Sequence, residues 1–472
     1  MTITHICMSD LHFGAETSLL TDLSDNYQPR YREASPVLLR LMDCLRTLIK
    51  RQADAARPTL VLAGDVLELA LSETHEAAMT FEKFLTLAFP GGDDDLFARE
   101  IVYVPGNHDH HLWERTREIQ YMDYLTSVPP GAPLGREWHI TRLFARDVGA
   151  RYPEQQLLTA LARRHPQLAD LSVVAAYPNM GIRSRDGSRA VVFTHGHYIE
   201  PLYTLISDLK GLIFPERPIP DTLVELETEN FAWIDFFWST MGRSGDAGKQ
   251  VQQIYEMLAT KSGQKELGKR LAAGIVSRYF SDNLVPDAVE RFAVEKVIAA
   301  MAARAMATER GDVDQPLGAD ATQGLARYVS GPLARQLKHE CKSLGMPQHV
   351  ALVFGHTHKP FERSSNIANY DNVVDIYNTG GWVVDSVERT PLHGAAIVLV
   401  DHDGHSAALR MYNEVPKGES PTGVRVASAR PNPLATDLEQ AVEATPSVWA
   451  AFADAARAAV SLRAEALASR AG

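Results

Sequence analysis

Cysteine is scarce in this chain. Three stand in 472 residues, Cys7, Cys44 and Cys341, odd in number and far apart. That set excludes a disulfide framework and reads as buried thiols in a reducing compartment. Long apolar runs are missing too, and none approaches the ~20 residues that a membrane-spanning helix needs. Positive charge is in deficit, for a formal net charge of -12. The deficit removes the electrostatic footprint of general binding to nucleic acid or anionic membrane. No charged and apolar leader fits ahead of Ile3, where the first strand starts. The expectation is a cytoplasmic protein with no transmembrane segment. An apolar content of 45% and a charged content of 22% are those of an ordinary globular chain, and the length allows more than one domain.

Short apolar runs that read as strands alternate with helix-period stretches in the first part of the chain. Ile3–Met8, Thr59–Ala63 and Ile101–Val104 are the strands. A stripe through Leu38, Leu41, Met42, Leu45 and Leu48, and another around Phe81–Leu87, are the helices. This alternation predicts α/β layers, with ligands bound at the carboxyl ends of the strands. Val173–Ala176 and Ala190–Thr194 flank Asp186-Gly187 and suggest a hairpin. The later strands, Val350–Phe354, Val373–Tyr377, Ala395–Val400 and Ala407–Tyr412, have no helix between them, so this half is expected to be more antiparallel. Two packed sheets with helices outside are predicted.

The stretch between these halves is helical in period. Leu202, Leu205, Ile206, Leu209 and Leu212 form one stripe, and Phe292, Val294, Val297 and Ile298 belong to another. Pro416–Pro433, rich in Pro, Gly and Ser, reads as a surface linker, and Thr445-Pro446 as a helix start. The chain thus divides into the first part of an α/β domain (1–197), an inserted helical domain (198–347), the second part of the α/β domain (348–413), and a linker with a C-terminal helix (414–472).

Five short motifs stand at strand ends: Asp10-Leu11-His12, Gly64-Asp65, Gly106-Asn107-His108-Asp109, His195-Gly196-His197 and Gly355-His356-Thr357-His358. Carboxylate, amide oxygen and imidazole suit hard or borderline divalent metals. In an extended segment alternate side chains share a face, so Asp10 and His12 would reach one ion together. His356 and His358 would serve one ion or be divided between two. The two oxygens of an Asp can bridge metals ~3.5–4 Å apart, where a shared hydroxide becomes a strong nucleophile. Asp65 follows a glycine, which lets the backbone approach closely. Asn107 adds a ligand oxygen without a charge that would repel phosphate, and His108 beside it is available as an acid. A lone Asp-x-His would carry nothing; the ordered series carries the argument.

The series resembles the calcineurin-like metallophosphoesterase family, over roughly the first 200 residues and again near 350–413. Asn378-Thr379-Gly380-Gly381-Trp382 resembles the Asn-x-Gly-x-Trp-like strand end that follows the last metal motif there. The resemblance implies a two-sheet β-sandwich flanked by helices and a phosphate-ester substrate, mono- or diester. It implies that Asp10, His12, Asp65 and His358 hold one metal, and that Asp65, Asn107, His195 and His356 hold the other. His108 would protonate the leaving oxygen, with Asp109 supporting it. Mn²⁺ is the first expectation, with Fe or Zn²⁺ as alternatives, because mixed N/O ligands discriminate weakly among them. Gly64-Asp65-Val66-Leu67-Glu68 resembles the UDP-diacylglucosamine pyrophosphatase branch. That branch usually has Arg after the Asn, and Asp where this chain has His197.

Other readings stand beside these. A nucleotide-lipid pyrophosphatase shares the chemistry, whereas a non-catalytic protein-binding scaffold would use the fold alone. His197 contacts substrate or is structural; His110 and His111 read as first-turn helix residues at the cleft rim, and His5 as structural. Phe231, Trp233, Phe236, Phe237 and Trp238 line a substrate pocket, seat the chain on a membrane, or build a core or a homo-oligomer interface.

Overall fold

The computed structural model describes residues 2–52, 56–240, 315–387, 389–415 and 423–471. Its strands, in chain order, are β1 (Ile3–Met8), β2 (Thr21–Leu23), β3 (Pro29–Ala34), β4 (Thr59–Leu62), β5 (Glu100–Tyr103), β6 (Ser172–Ala175) and β7 (Asn179–Arg183). They continue with β8 (Arg189–Thr194), β9 (His349–Phe354), β10 (Phe361–Ser365), β11 (Val374–Asn378), β12 (Gly394–Asp401), β13 (Ser406–Asn413) and β14 (Arg425–Ala427). Seven strands form one sheet in the order β14-β13-β12-β1-β4-β5-β6, and five form another in the order β10-β11-β9-β8-β7. The fold is mixed α/β.

Alternation along the strands explains how both sheets are covered on both faces. Cys7, Val61, Val102 and Val398 of the first sheet share a core with Val191, Phe193, Ala351 and Val353 of the second. Their neighbours Ile6, Met8, Leu60, Leu62, Ile101 and Ile397 point the other way, into a core with the helices Pro36–Ile49, Thr74–Ala88 and Pro446–Ala471. Val192, Leu352, Phe354 and Ile376 face a third core with Leu209, Leu226, Ile234, Leu325 and Leu337. Strands buried on both faces read as continuous apolar runs, which is why they stand out in the chain. Helix Pro36–Ile49 begins where Ser35 accepts the Leu38 N–H at 3.0 Å, with Pro36 in the first turn.

Several expectations need correction. The hairpin at Asp186-Gly187 joins β7 to β8, whereas Val173–Ala176 belongs to β6 in the other sheet. The later strands pair more often antiparallel than parallel, as expected, but not throughout. β9 lies parallel to β8 and to β11. The connection from β9 to β11 passes through the edge strand β10, which pairs antiparallel with β11, and β12 and β13 return to the first sheet beside β1. The supposed linker contains β14, paired with β13, and two helices follow it, Pro433–Glu443 and Pro446–Ala471. Residues 416–422 and the stripe Phe292, Val294, Val297 and Ile298 lie outside the described residues.

The described helices of the 198–347 stretch, Leu205–Ile213, Leu223–Ile234, Ala319–Tyr328 and Ala334–Glu340, supply the outer layer of the second sheet. They share a core with that sheet. Among the described residues no helix is long and apolar enough to cross a membrane.

Candidate metal centre

β1, β4 and β5 run parallel in the first sheet, and β8 and β9 run parallel in the second. The five motifs follow the carboxyl ends of these strands, where open α/β sheets carry their sites. Backbone bonds lace the motifs together. Asp10 N donates to Gly64 O at 2.9 Å, His12 N to Asp65 O at 2.9 Å, and Gly355 N to His195 O at 3.0 Å.

The ligand loops are left-handed turns, not extended segments. Among the described residues, Asp10 (φ 51°), His12 (45°), Asp65 (49°), His356 (70°) and His358 (57°) dominate the non-glycine residues at positive φ. Each such residue costs roughly 1–3 kcal/mol. The turns aim the side chains at one point, so Asp10 and His12 converge for a reason other than strand pleat. Gly64 and Gly355 leave the room this needs. A Cβ on Gly64 would lie 2.3 Å from His195 Nδ1, and one on Gly355 would lie 2.0 Å from Asp10 Oδ2.

The structure brings all seven candidate ligands together, none more than 2% exposed. Ligand atoms of Asp10, His12 and His358 lie within 4.8 Å of one another, as do those of Asp65, His195 and His356, and those of His12, Asp65 and His108. His358 Nε2 is 3.3 Å from Asp10 Oδ1. Asp65 Oδ2 lies 3.7 Å from His12 Nε2 and 3.4 Å from His195 Nε2. Asp65 Oδ1 is taken by the His108 amide at 2.8 Å. A bridge between two metals would therefore use one oxygen of Asp65, in place of the two expected.

Three of the four candidate imidazoles hydrogen-bond an acceptor at the nitrogen facing away from the cluster, and the fourth, His356, approaches a carboxylate. His12 Nδ1 is 2.8 Å from Glu68 Oε2, and His195 Nδ1 is 3.1 Å from Ala63 O. His358 Nδ1 pairs with Asp385, and His356 Nε2 lies 3.2 Å from Glu200 Oε1. A proton on the outer nitrogen leaves the inner nitrogen a bare lone pair. Around His195 Nε2 stand Asn107 Oδ1 at 2.9 Å and His356 Nδ1 at 3.2 Å, with Asp65 Oδ2 beyond. His12 Nε2 and Asp65 Oδ2 are buried with no hydrogen-bond partner. Electron-rich atoms packed this way fit divalent cations, and buried polar atoms without partners are otherwise costly.

Burial opposes ionisation of Asp65, but a proton shared with the His195, His108 and His12 imidazoles would hold its carboxyl well below the usual range. Against burial, Asp65 in turn pushes His195 up to about 9, a proton that a divalent ion would replace. Asp10 is lowered against burial by its hydrogen bond to His358. Burial and the nearby Asp65 carboxylate push Asp109 up to about 6, opposed by the amides of Gly106 and Val66.

Glu200 and Asp385 were not singled out from the chain, and Glu68 only as the end of the Gly64-Asp65-Val66-Leu67-Glu68 motif. Glu68 also takes His108 Nδ1 at 2.9 Å, so one carboxylate orients a ligand and the candidate acid. Asp109 acts on the backbone of the motifs. Its carboxylate accepts from Gly106 N at 2.8 Å and Val66 N at 2.7 Å, bracing two motif loops while Glu68 holds the His108 ring. His197 is buried beside Tyr177 and Tyr203, and burial together with His195 and His356 keeps it neutral.

Of the histidines beyond Asp109, His111 opens the helix His111–Ser127 and is partly exposed, as expected, whereas His110 departs from expectation. His110 is fully buried, with Nε2 3.2 Å from Glu227 Oε1, and does not line a rim. Of the aromatic run, Trp233 Nε1 donates to Leu202 O at 2.9 Å, and Arg117 lies 4.7 Å over Phe231. Trp238 is buried against the centre, 6.1 Å from the His108 ring and 5.4 Å from Tyr203. The side chains of Phe236 and Phe237 lie outside the described part. No protein-family model and no curated protein matches the chain.

Proposed function

We propose that this chain is a metal-dependent phosphoesterase of the calcineurin-like kind, hydrolysing phosphate mono- or diesters. The observation that supports this reading most is the oriented imidazole set: His12, His195 and His358 each have an outer acceptor and an inner nitrogen turned to Asp65, Asn107 or Asp10, and His356 Nδ1 lies 3.2 Å from His195 Nε2 in the group that includes Asp65. A structural polar core satisfies its members among themselves, whereas this one turns lone pairs toward one another. Asp10, His12, Asp65 and His358 would hold one divalent ion, and Asp65, Asn107, His195 and His356 the other. The ions would supply Lewis acidity and a more acidic bound water. Asp65 and Asp10 give the site negative charge, Asn107 adds a neutral oxygen, and Glu68 fixes His108 so that its ring can pass a proton to the leaving oxygen.

The test is turnover of aryl phosphate mono- and diesters by chelator-stripped protein reloaded with Mn²⁺, Fe²⁺ or Zn²⁺. Metal-dependent hydrolysis lost in Asp65→Asn supports the reading. Stoichiometric metal binding without turnover of either ester class would favour a scaffold.

A further inference from the structure

A second polar cluster is buried between helix His111–Ser127 and helix Leu223–Ile234. His110 precedes the first of these, Glu114 lies one turn further along, and Glu227 projects from the other. Their ligand atoms lie within 4.8 Å of one another. His110 and Glu227 are fully buried. His110 Nε2 and Glu227 Oε1 are 3.2 Å apart. Two ligands of one first-row ion, each at about 2.0–2.2 Å, stand about 3–3.5 Å apart.

The surrounding contacts leave a deficit of positive charge. Glu227 Oε2 accepts Tyr177 OH at 2.8 Å and Tyr198 OH, so its Oε1 is the atom left for His110. Glu114 gives Oε2 to Arg117 at 2.9 and 2.7 Å, while its Oε1 is buried with no hydrogen-bond partner. His110 Nδ1 likewise lacks a hydrogen-bond partner and faces Asp235 Oδ1 only at 3.9 Å. That is the arrangement of the main centre in outline, with a carboxylate on the outer side of an imidazole and carboxylates on the inner side. Three carboxylates, Glu114, Glu227 and Asp235, face one permanent cation, Arg117, and two imidazoles, His110 and His111, the latter with Nδ1 3.2 Å from Asp235 Oδ1. A proton on His110 satisfies Glu227 and leaves Glu114 Oε1 unmatched. A divalent ion would satisfy both carboxylates and the imidazole.

We propose that His110, Glu114 and Glu227 form a third divalent-cation site, separate from the main centre, that ties helix Leu223–Ile234 to the helix following the Asn107-His108-Asp109 motif. Its chemistry, one imidazole and two carboxylates, suits Zn²⁺ or Mn²⁺. An ion there would fix the approach of the Trp238 segment to His108, since Asp235–Thr240 continues from the tied helix.

The experiment uses the full chain in an Asp65→Asn background, which lacks the bridging carboxylate of the main centre. Chelator-stripped protein is reloaded with Zn²⁺, desalted, and measured for metal content and melting temperature. One equivalent should be lost on adding Glu227→Gln, and also on adding Glu114→Gln, together with the Zn²⁺-dependent rise in melting temperature. Glu114→Gln keeps the test valid should Glu227→Gln fold poorly, because Glu114 is the least buried of the three. Equal Zn²⁺ content in the single and double variants, including none in either, overturns the proposal. Activity of the unmodified chain is read separately, so loss of this site and failure of the phosphoesterase reading are distinguishable.

Discussion

Asp65 Oδ1 accepts the backbone N–H of His108 at 2.8 Å. The bond joins the second motif to the third and fixes the rotation of the Asp65 carboxylate, which leaves Oδ2 facing His12 and His195. Asp65→Asn keeps an acceptor for that amide and replaces the anionic Oδ2 with a neutral amide group. The variant should therefore fold and lose two equivalents of metal relative to the unmodified chain, whereas His12→Ala should lose about one. Elemental analysis after desalting decides this. Full occupancy in Asp65→Asn would sink the single-oxygen bridge.

His108 differs from its neighbours because its ring is held by Glu68 and it is not needed to complete either ligand set. His108→Ala should keep both metals of the main centre and slow turnover by ~10²–10⁴-fold, the range for loss of a general acid. The loss should be steepest for alkyl esters and least for nitrophenyl esters, whose leaving group needs little protonation. Metal loss in the variant, or equal slowing across leaving groups, would assign His108 to the ligands instead. Its proximity to His12 and Asp65 makes that outcome chemically reasonable.

Much of the arrangement was legible because burial leaves a composition signal. Strands covered on both faces read as apolar runs, and the Asp, Asn and His motifs at their carboxyl ends, which the structure brings together, stand out beside them. β7 was missed because Gly181 interrupts it and Pro178 precedes it; β10, because Glu362-Arg363-Ser364-Ser365 is polar at a sheet edge; and β14, because it lies in a Pro/Gly/Ser-rich stretch. The positive φ of Asp10, His12 and Asp65 has no local signature, since only tertiary bonds such as Asp10 N to Gly64 O sustain it. Glu68 was visible as part of a motif but not as the partner of two imidazoles. Asp385 carries no signal in the chain, for it reaches His358 only through the loop after Trp382.

His5 supplies a pH prediction away from the centre. Its ring lies in β1 with Nε2 buried and unpartnered, and burial, assisted by Arg146, lowers its pKa to about 4. Unfolded, it would titrate near 6.5. Between these values the unfolded chain binds a proton that the folded chain does not, so stability rises with pH. The contribution is complete above about pH 6.5 and is lost as pH falls through 4. At ~1.4 kcal/mol per pH unit, discounted for partial solvent access, it amounts to roughly 2–3 kcal/mol. Urea unfolding in EDTA at pH 7, 5.5 and 4.5 should show His5→Gln losing less stability on acidification than the unmodified chain. Parallel curves would mean that His5 is solvated when folded.

The last prediction concerns the wall over the centre. Trp238 and Tyr203 stand 5.4 Å apart, and Tyr203 lies 5.0 Å from His356. Ser239 Oγ donates to Asn107 O at 2.8 Å, so the segment carrying Trp238 is fastened directly to the third motif. With the seven candidate ligands at most 2% exposed, a substrate of the proposed phosphoesterase would have to displace part of this wall to reach them. A small aryl phosphate needs only a narrow opening, but a large ester must also find contacts on the displaced side chains. Trp238→Ala should therefore leave turnover of the small substrate unchanged or faster, and raise KM for a nucleotide-linked ester. Removing a buried aromatic can cost ~3–5 kcal/mol, so the comparison is made between substrates on one folded, metal-loaded preparation. A structural wall would slow both esters by the same factor, whereas a selective wall separates them.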